Sequence, residues 1–154
     1  MSVCNGCEFL PELYYDREFQ IWVSREPDGT LKVGMTDISQ TIAGAILHVR
    51  VRRPGTERPV GRPVATVESG KWAGPIPNLM DCVIEEGNTA VLDNPSLLNA
   101  DPYGAWIARV RPVGSMEKAL ALLITGAEAE TGYCERIVRD KIECRRREIK
   151  VQGQ

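Results

Sequence analysis

A lysine between a glycine and a tryptophan offers the clearest chemistry in this chain. In Glu68-Ser69-Gly70-Lys71-Trp72-Ala73, Gly70 can take a positive φ at little steric cost, as a tight reversal between two strands needs. Such a reversal lifts Lys71 to the tip with its amine in water. The amine then serves either as an ordinary solvated turn lysine or as the attachment point of a swinging arm, reachable for acylation and free to visit other active sites. Trp72 beside it belongs either to the core or against such an arm or a partner. A second group is Cys4-Asn5-Gly6-Cys7, a spacing used by redox pairs and by zinc sites. Zinc wants four ligands, and the remaining cysteines provide no second close pair, so no metal is expected. The third group is cationic: Arg50, Arg52, Arg53, Arg58 and Arg62, with only Glu57 to offset them. It reads either as a solvated loop or as a partner-docking face, with Arg50, Arg52 and Arg53 at its centre.

The rest of the composition narrows the function classes. The chain has 154 residues, enough for one domain, with 43% apolar and 26% charged residues, the balance of an ordinary globule. Lys plus Arg number 19 against 21 Asp plus Glu, a net charge of -2, which argues against general nucleic-acid binding. The longest apolar stretches, 42–47 and 119–124, fall far short of the roughly 20 residues of a membrane span. The first ten residues lack a basic region followed by an apolar one, which predicts a cytoplasmic location without secretory signal. Five cysteines, Cys4, Cys7, Cys82, Cys134 and Cys144, are an odd number for a reducing compartment, so structural disulfides are not expected. His48 is the single histidine, and no nucleophile–base pair or metal cluster appears, so an autonomous enzyme is disfavoured.

The elements that must position these residues are mainly β. Residues 19–113 read as short strands interrupted by Gly, Pro, Asn and Asp, the punctuation of a small sandwich or barrel. Residues 19–23 and 31–35 form a hairpin around Pro27-Asp28-Gly29, and Asp37 with Gln40 has capping-box spacing for a helical turn. Residues 46–51 alternate and place His48, Arg50 and Arg52 on one face. Further strands are expected at 64–67, 82–84 and 105–110, with a helical turn at Asn94-Pro95. Segments 44–67 and 82–110 form a faint internal repeat. Beyond 113, Ser115 caps a helix over 116–125 that Gly126 stops. A second helix is expected from about 130 to 149, with Cys134, Ile137, Val138, Ile142 and Ile149 as its apolar stripe. Cys134 and Cys144 would lie on different faces of that helix.

Three stretches, Val33-Gly34-Met35-Thr36-Asp37, Val67-Glu68-Ser69-Gly70-Lys71 and Asp93-Asn94-Pro95-Ser96-Leu97-Leu98-Asn99-Ala100-Asp101-Pro102-Tyr103-Gly104, resemble the glycine cleavage system H-protein family of lipoyl carriers. Their order and spacing match over roughly residues 19–125. The family reads Val-Glu-Ser-Val-Lys around its lipoylated lysine, so the resemblance implies lipoate in amide linkage on Lys71, within a turn formed with Glu68, Ser69, Gly70 and Trp72. It also implies an α+β, mainly β fold: a barrel-sandwich hybrid with short helical turns and C-terminal helices. Three segments follow: an N-terminal extension with the Cys-x-x-Cys at 1–18, the lipoyl domain at 19–125 and a helical extension at 126–154. The chain would be a carrier rather than an enzyme.

The departures from the family point further. Gln20-Ile21-Trp22 stands where the family has His-Glu-Trp, and Arg50 replaces a family acidic residue. Together with Cys4 and Cys7 and the extended arginine-bearing C-terminus, these features resemble the lipoate-binding proteins of sulfur-oxidising prokaryotes. That resemblance implies a carrier of sulfur intermediates working with a heterodisulfide-reductase-like complex, a lipoate-protein ligase, a dihydrolipoyl dehydrogenase and sulfurtransferases. Cys4 and Cys7 would then be inert, or exchange with the lipoyl disulfide or hold a persulfide. The alternatives are a conventional H-protein carrying the aminomethyl group of glycine and a non-lipoylated binding module.

Overall fold

The computed structural model describes residues 2–150. Its elements run, in chain order, β1 (Ser2–Cys4), β2 (Cys7–Phe9), β3 (Tyr14–Tyr15), β4 (Ile21–Arg25), β5 (Leu31–Met35), α1 (Asp37–Ala43), β6 (Ile46–Val51), β7 (Glu57–Arg58), β8 (Ala65–Ser69), β9 (Ala73–Pro75), β10 (Cys82–Gly87), α2 (Thr89–Asp93), α3 (Leu97–Ala100), β11 (Ala108–Pro112), α4 (Met116–Leu120), β12 (Ile124–Thr125) and α5 (Gly126–Arg139). The strands form a seven-stranded sheet in the order β12-β3-β4-β5-β11-β10-β7, a three-stranded sheet β6-β8-β9 and a separate hairpin β1-β2. The two halves of the faint repeat therefore go to different sheets, β6 and β8 to one and β10 and β11 to the other.

The alternation of β4 has an unusual meaning. Ile21 and Val23 enter a core shared with Val33, Val49, Val67 and Ile84, between the two larger sheets. Trp22, pointing the other way, enters a second core with Phe9, Tyr15, Phe19, Ile38, Tyr133 and Ile137. The strand is thus apolar on both faces because both are covered. Trp22 lies over Gly34, where a Cβ would come within 2.5 Å of its ring, and its Nε1 donates to the Pro102 carbonyl at 2.9 Å. The expected hairpin is present as β4–β5, with Ile21 opposite Met35 and Arg25 opposite Leu31.

The C-terminal third departs from expectation. The first helix stops at Leu120, and Ile124–Thr125 adds an edge strand beside Tyr14–Tyr15. Gly126 opens α5 instead of ending a helix. It sits so close to the Pro11 carbonyl that a Cβ would meet the oxygen at 1.8 Å, so glycine is needed for a contact invisible in the sequence. Thr125 and Glu128 form a capping box at this start, where the expectation was a helix end and not a helix start. The helix ends at Arg139 and the chain continues extended to 150. Its buried stripe is Ala129, Tyr133 and Ile137, while Val138 and Ile149 are exposed.

The expectation of no structural disulfides is also overturned: Cys4 bonds Cys134 and Cys7 bonds Cys144. The β1–β2 hairpin turns at Asn5 and Gly6, both at positive φ, so Cys4 and Cys7 pair across the strands and each reaches a different part of the C-terminal region. Ending α5 at Arg139 is what lets Cys144 come back to Cys7.

Helix α1 is capped by Thr36 rather than Asp37, and Asp37 turns inward. A buried polar seam ties the helix down. Asn99 accepts from the Ile46 N–H at 2.8 Å and donates to the Gly44 carbonyl at 2.9 Å and to Gln40 Oε1 at 3.0 Å. Gln40 Nε2 in turn donates to Asp37 Oδ1 at 2.9 Å and to the Arg145 carbonyl at 2.8 Å. Replacing Asn99 by Ala leaves several of these groups buried without partners, at about 1–3 kcal/mol each where unsatisfied. Asn99→Ala should therefore lower stability by at least about 2 kcal/mol in urea unfolding; an unchanged midpoint and slope would refute the seam's role.

Candidate functional site: the Lys71 turn

The turn between β8 and β9 is built on Ser69, which is 6% exposed. Its N–H donates to the Trp72 carbonyl at 2.7 Å, and its Oγ accepts from the N–H groups of Trp72 at 3.0 Å and Lys71 at 3.3 Å. This side-chain cap replaces the mirror-image turn that a two-residue hairpin loop ordinarily uses. Gly70 is accordingly not among the residues at positive φ, contrary to expectation, and a Cβ there would meet nothing within 4 Å. The position needs no glycine, which accounts for the valine in the family motif.

Gly70, Lys71 and Trp72 are exposed, as is Glu68 on the preceding strand. Lys71 makes no ion pair among the described residues. Its stem crosses Gly44, the cap residue of α1 at φ +82, where a Cβ would stand 3.1 Å from Lys71 Cε. Trp72 is 41% exposed and folds over Gly74, where a Cβ would come within 2.7 Å of its ring; it is not core. Beside the lysine lies a hollow of about 340 Å³, walled by Ile38, Ile42, Ala43, Phe19 and Trp72, with Glu18, Gln20, Ser39 and Arg136 on its polar edge. Arg136 is held there by the Glu18 carbonyl and carboxylate and by Asp140. The sequence offered one sign of this wall, a glycine after the apolar run of α1; it offered none for Arg136, which α5 carries in from far along the chain.

Among the cysteines the structure separates what the motif joined. Cys4 and Cys7 are not a redox pair with each other, since each is bonded elsewhere. Cys82 is the free thiol, and burial pushes it up to about 11, so it is not a ready nucleophile. The arginines behave differently. Arg50, Arg52 and Arg53 are exposed around a hollow of about 590 Å³ with Val51 and Thr66, and they make no ion pair among the described residues. Arg25, Arg109, Arg111, Arg136, Arg139 and Arg146 all do. Arg50 is paired with Thr66 on β8, three residues before Ser69, so the cationic face begins about 10 Å along the strand from the lysine turn. His48, Arg50 and Arg52 are exposed as expected; a bulge between Ile46 and His48 exposes Leu47 as well.

An exposed lysine on a hairpin tip, next to an apolar hollow and on a double-sheet body, is the arrangement that a carrier of a covalent arm requires. An amine so placed fits amide attachment of an acyl cofactor. The profile of the family described as "Glycine cleavage H-protein" matches residues 13–135. The chain is 44% identical over 141 residues to "Glycine cleavage system H protein 2" of Aquifex aeolicus, covering 91% of this chain and 87% of that one. It is 40% identical over 149 residues to "Probable glycine cleavage system H protein 2" of Sulfolobus acidocaldarius, covering 95% and 99%. The crystal structure of a glycine cleavage system H protein from Mycobacterium marinum superposes with TM-score 0.68 at 27% identity, over 81% of this chain and 99% of that chain. This chain belongs to the glycine cleavage H-protein family. Members of the family are carriers of covalent lipoate without catalytic activity of their own, and work with lipoate ligase and dihydrolipoyl dehydrogenase. Among the described residues no helix is long and apolar enough to cross a membrane.

The turn yields a paired expectation. Ser69→Ala removes a buried acceptor for two N–H groups and should cost about 1–3 kcal/mol, whereas Gly70→Ala should stay within about 0.5 kcal/mol of the parent. Thermal unfolding of the two variants checks the order, and a larger loss for Gly70→Ala would overturn the turn geometry described here.

Proposed function

We propose that this protein is a swinging-arm carrier lipoylated on Lys71, whose cargo is the sulfur intermediates of cytoplasmic oxidation of thiosulfate or sulfane sulfur. The observation that supports the attachment point is the exposed Lys71 on its serine-buttressed turn, with no ion pair to hold its amine. A lipoate-protein ligase would acylate that amine, whose residue is exposed. When bound, lipoate supplies the redox chemistry of its two sulfurs; the chain holds the attachment point rigid, and the hollow along α1 shelters the arm between visits. A dihydrolipoyl dehydrogenase would reoxidise the dithiol, sulfurtransferases would load it, and a heterodisulfide-reductase-like complex would receive its cargo.

Two features favour sulfur over an aminomethyl cargo. At the position of the family's glutamate stands Ile21, 3% exposed in the core, so a carboxylate that could hold an amine is missing there. The carboxylate that remains at the hollow, Glu18, faces Arg136 at 3.8 Å. The cationic face of Arg50, Arg52 and Arg53 suits partners with acidic surfaces around their entrances. The names of the Aquifex and Sulfolobus relatives favour the second reading, a carrier of the aminomethyl group in glycine cleavage.

The deciding experiment is the intact mass of the protein from its own host, with peptide mapping across Lys71. A lipoyl increment on Lys71 is expected, and further sulfur-sized increments distinguish the sulfur cargo. An unmodified Lys71 in cells that lipoylate their other carriers would leave a binding module instead. Lys71→Arg should abolish the modification with stability unchanged within about 0.5 kcal/mol; a variant that still supports the pathway would refute the arm. Reversing charge at Arg52 and Arg53 to Glu should slow association with the partner complex and flatten its dependence on salt, and an unaltered salt slope in stopped-flow mixing would remove that face from docking.

A further inference from the structure

The two disulfides are chemically unequal. Cys7 is 0% exposed, packed into the second core with Phe9, Tyr15 and Tyr133. Cys4, Cys134 and Cys144 are half-buried, and the Cys4–Cys134 bond lies at a surface hollow of about 330 Å³ lined also by Val3, Cys7, Phe9, Glu130 and Tyr133, so Cys7 alone of the four is fully covered. Val3, 59% exposed, forms an apolar lip. A thiolate opens a disulfide by attacking one sulfur while the other leaves as thiolate, so both access and the stability of the leaving thiolate decide the rate. At Cys7–Cys144 the reachable sulfur is that of Cys144, and attack on it would expel the Cys7 thiolate into an apolar core, where burial disfavours the charge. At Cys4–Cys134 both cysteines are part-exposed, so neither leaving thiolate is confined to the apolar core as that of Cys7 would be.

We infer that Cys4–Cys134 is a thiol–disulfide exchange site for small dithiols whose two sulfurs can close a five- or six-membered cyclic disulfide, while Cys7–Cys144 is a structural bond. One thiolate of the dithiol bonds to the sulfur of Cys4 or Cys134, and the other cysteine leaves with the electron pair and takes a proton. The second thiol of the dithiol then displaces the attached cysteine. The products are a cyclic disulfide and two reduced cysteines; the dithiol loses two electrons, Cys4–Cys134 gains them, and no other oxidant takes part. The body tolerates the opening, because Cys7–Cys144 still anchors the β1–β2 hairpin, and Phe9 still packs against Tyr133 with ring centroids 5.5 Å apart.

The test uses the full chain carrying Lys71→Arg, so that the outcome does not depend on the proposed arm. The chain is mixed with excess dihydrolipoamide, sampled over time, trapped with an alkylating reagent and mapped by mass spectrometry. Cys4 and Cys134 should be trapped together, roughly tenfold or more faster than Cys7 and Cys144. Opening of both bonds in step, or of Cys7–Cys144 first, would overturn the inference. Single variants give an independent reading. In folded Cys134→Ser, Cys4 should react promptly with a chromogenic disulfide, whereas in folded Cys144→Ser, Cys7 should stay silent until denaturant is added. Equal reactivity of the two freed thiols would overturn the assignment.

Discussion

The arrangement around Lys71 depends on one buried polar seam. Asp37, Gln40 and Asn99 are each at most 1% exposed, and a polar group at such depth is tolerated only when its hydrogen bonds are made. Here they are made to three different parts of the chain. Asp37 accepts from the Glu8 N–H at 2.8 Å and from Arg146 Nε at 3.1 Å, Gln40 reaches the Arg145 carbonyl, and Asn99 holds the Ile46 N–H and the Gly44 carbonyl. Helix α1 has only seven residues, too few to be stable alone. Its position is therefore set by the seam. Gly44, on which the lysine stem rests, and Ile38 and Ile42, which wall the hollow, inherit that position.

The seam explains which parts of the structure were legible in the sequence. Strands β4, β5, β6, β8, β10 and β11 declared themselves because alternation and turn residues are local signals. The lysine turn was legible through a motif whose spacing is itself local. What failed was long-range. Gly126 is a helix start because Pro11 presses on it, and Cys4 and Cys7 bond residues 130 and 137 positions away. An apolar stripe drawn over 130–149 assumed one continuous helix, whereas the segment after Arg139 is extended and bound by backbone contacts to Asn99 and Ser96. Asn99 itself lay within a quoted motif, but its task, joining α1 to the start of β6, emerges only when the sheets are assembled.

The carrier face divides its work by charge and polarity. At the tip, Lys71 touches Gly44 and is flanked by Gly70 and Trp72, and no carboxylate among the described residues pairs with its amine. Three residues along the same hairpin unit, arginines without intramolecular partners begin. Six arginines elsewhere pair with carboxylates, some as close as 2.6 Å, while Arg50, Arg52 and Arg53, without such a pair among the described residues, stand together around one hollow. Unpaired surface charge contributes little to stability, but it acts over a Debye length of roughly 8–10 Å, the scale that separates it from the lysine. A partner steered by these arginines meets the tip in a restricted set of orientations.

The terminal segments are best understood as part of the same machinery. The segment 141–150 is mostly exposed and without regular secondary structure, and of its residues only Ile142 and Cys144 pack against the second core. Cys7–Cys144 ties it to the body, closing a loop for which the chain-entropy account assigns about 5 kcal/mol. With that end tied, Arg146 can bridge Asp37 and Glu8 at 3.1 Å each, and the Arg145 carbonyl can complete Gln40. Without the tie, Asp37 would keep its backbone and Gln40 partners but lose its counter-charge. The covalent bond at one edge of the molecule thus completes the polar seam at its centre, and through α1 it maintains the ledge beneath the lysine.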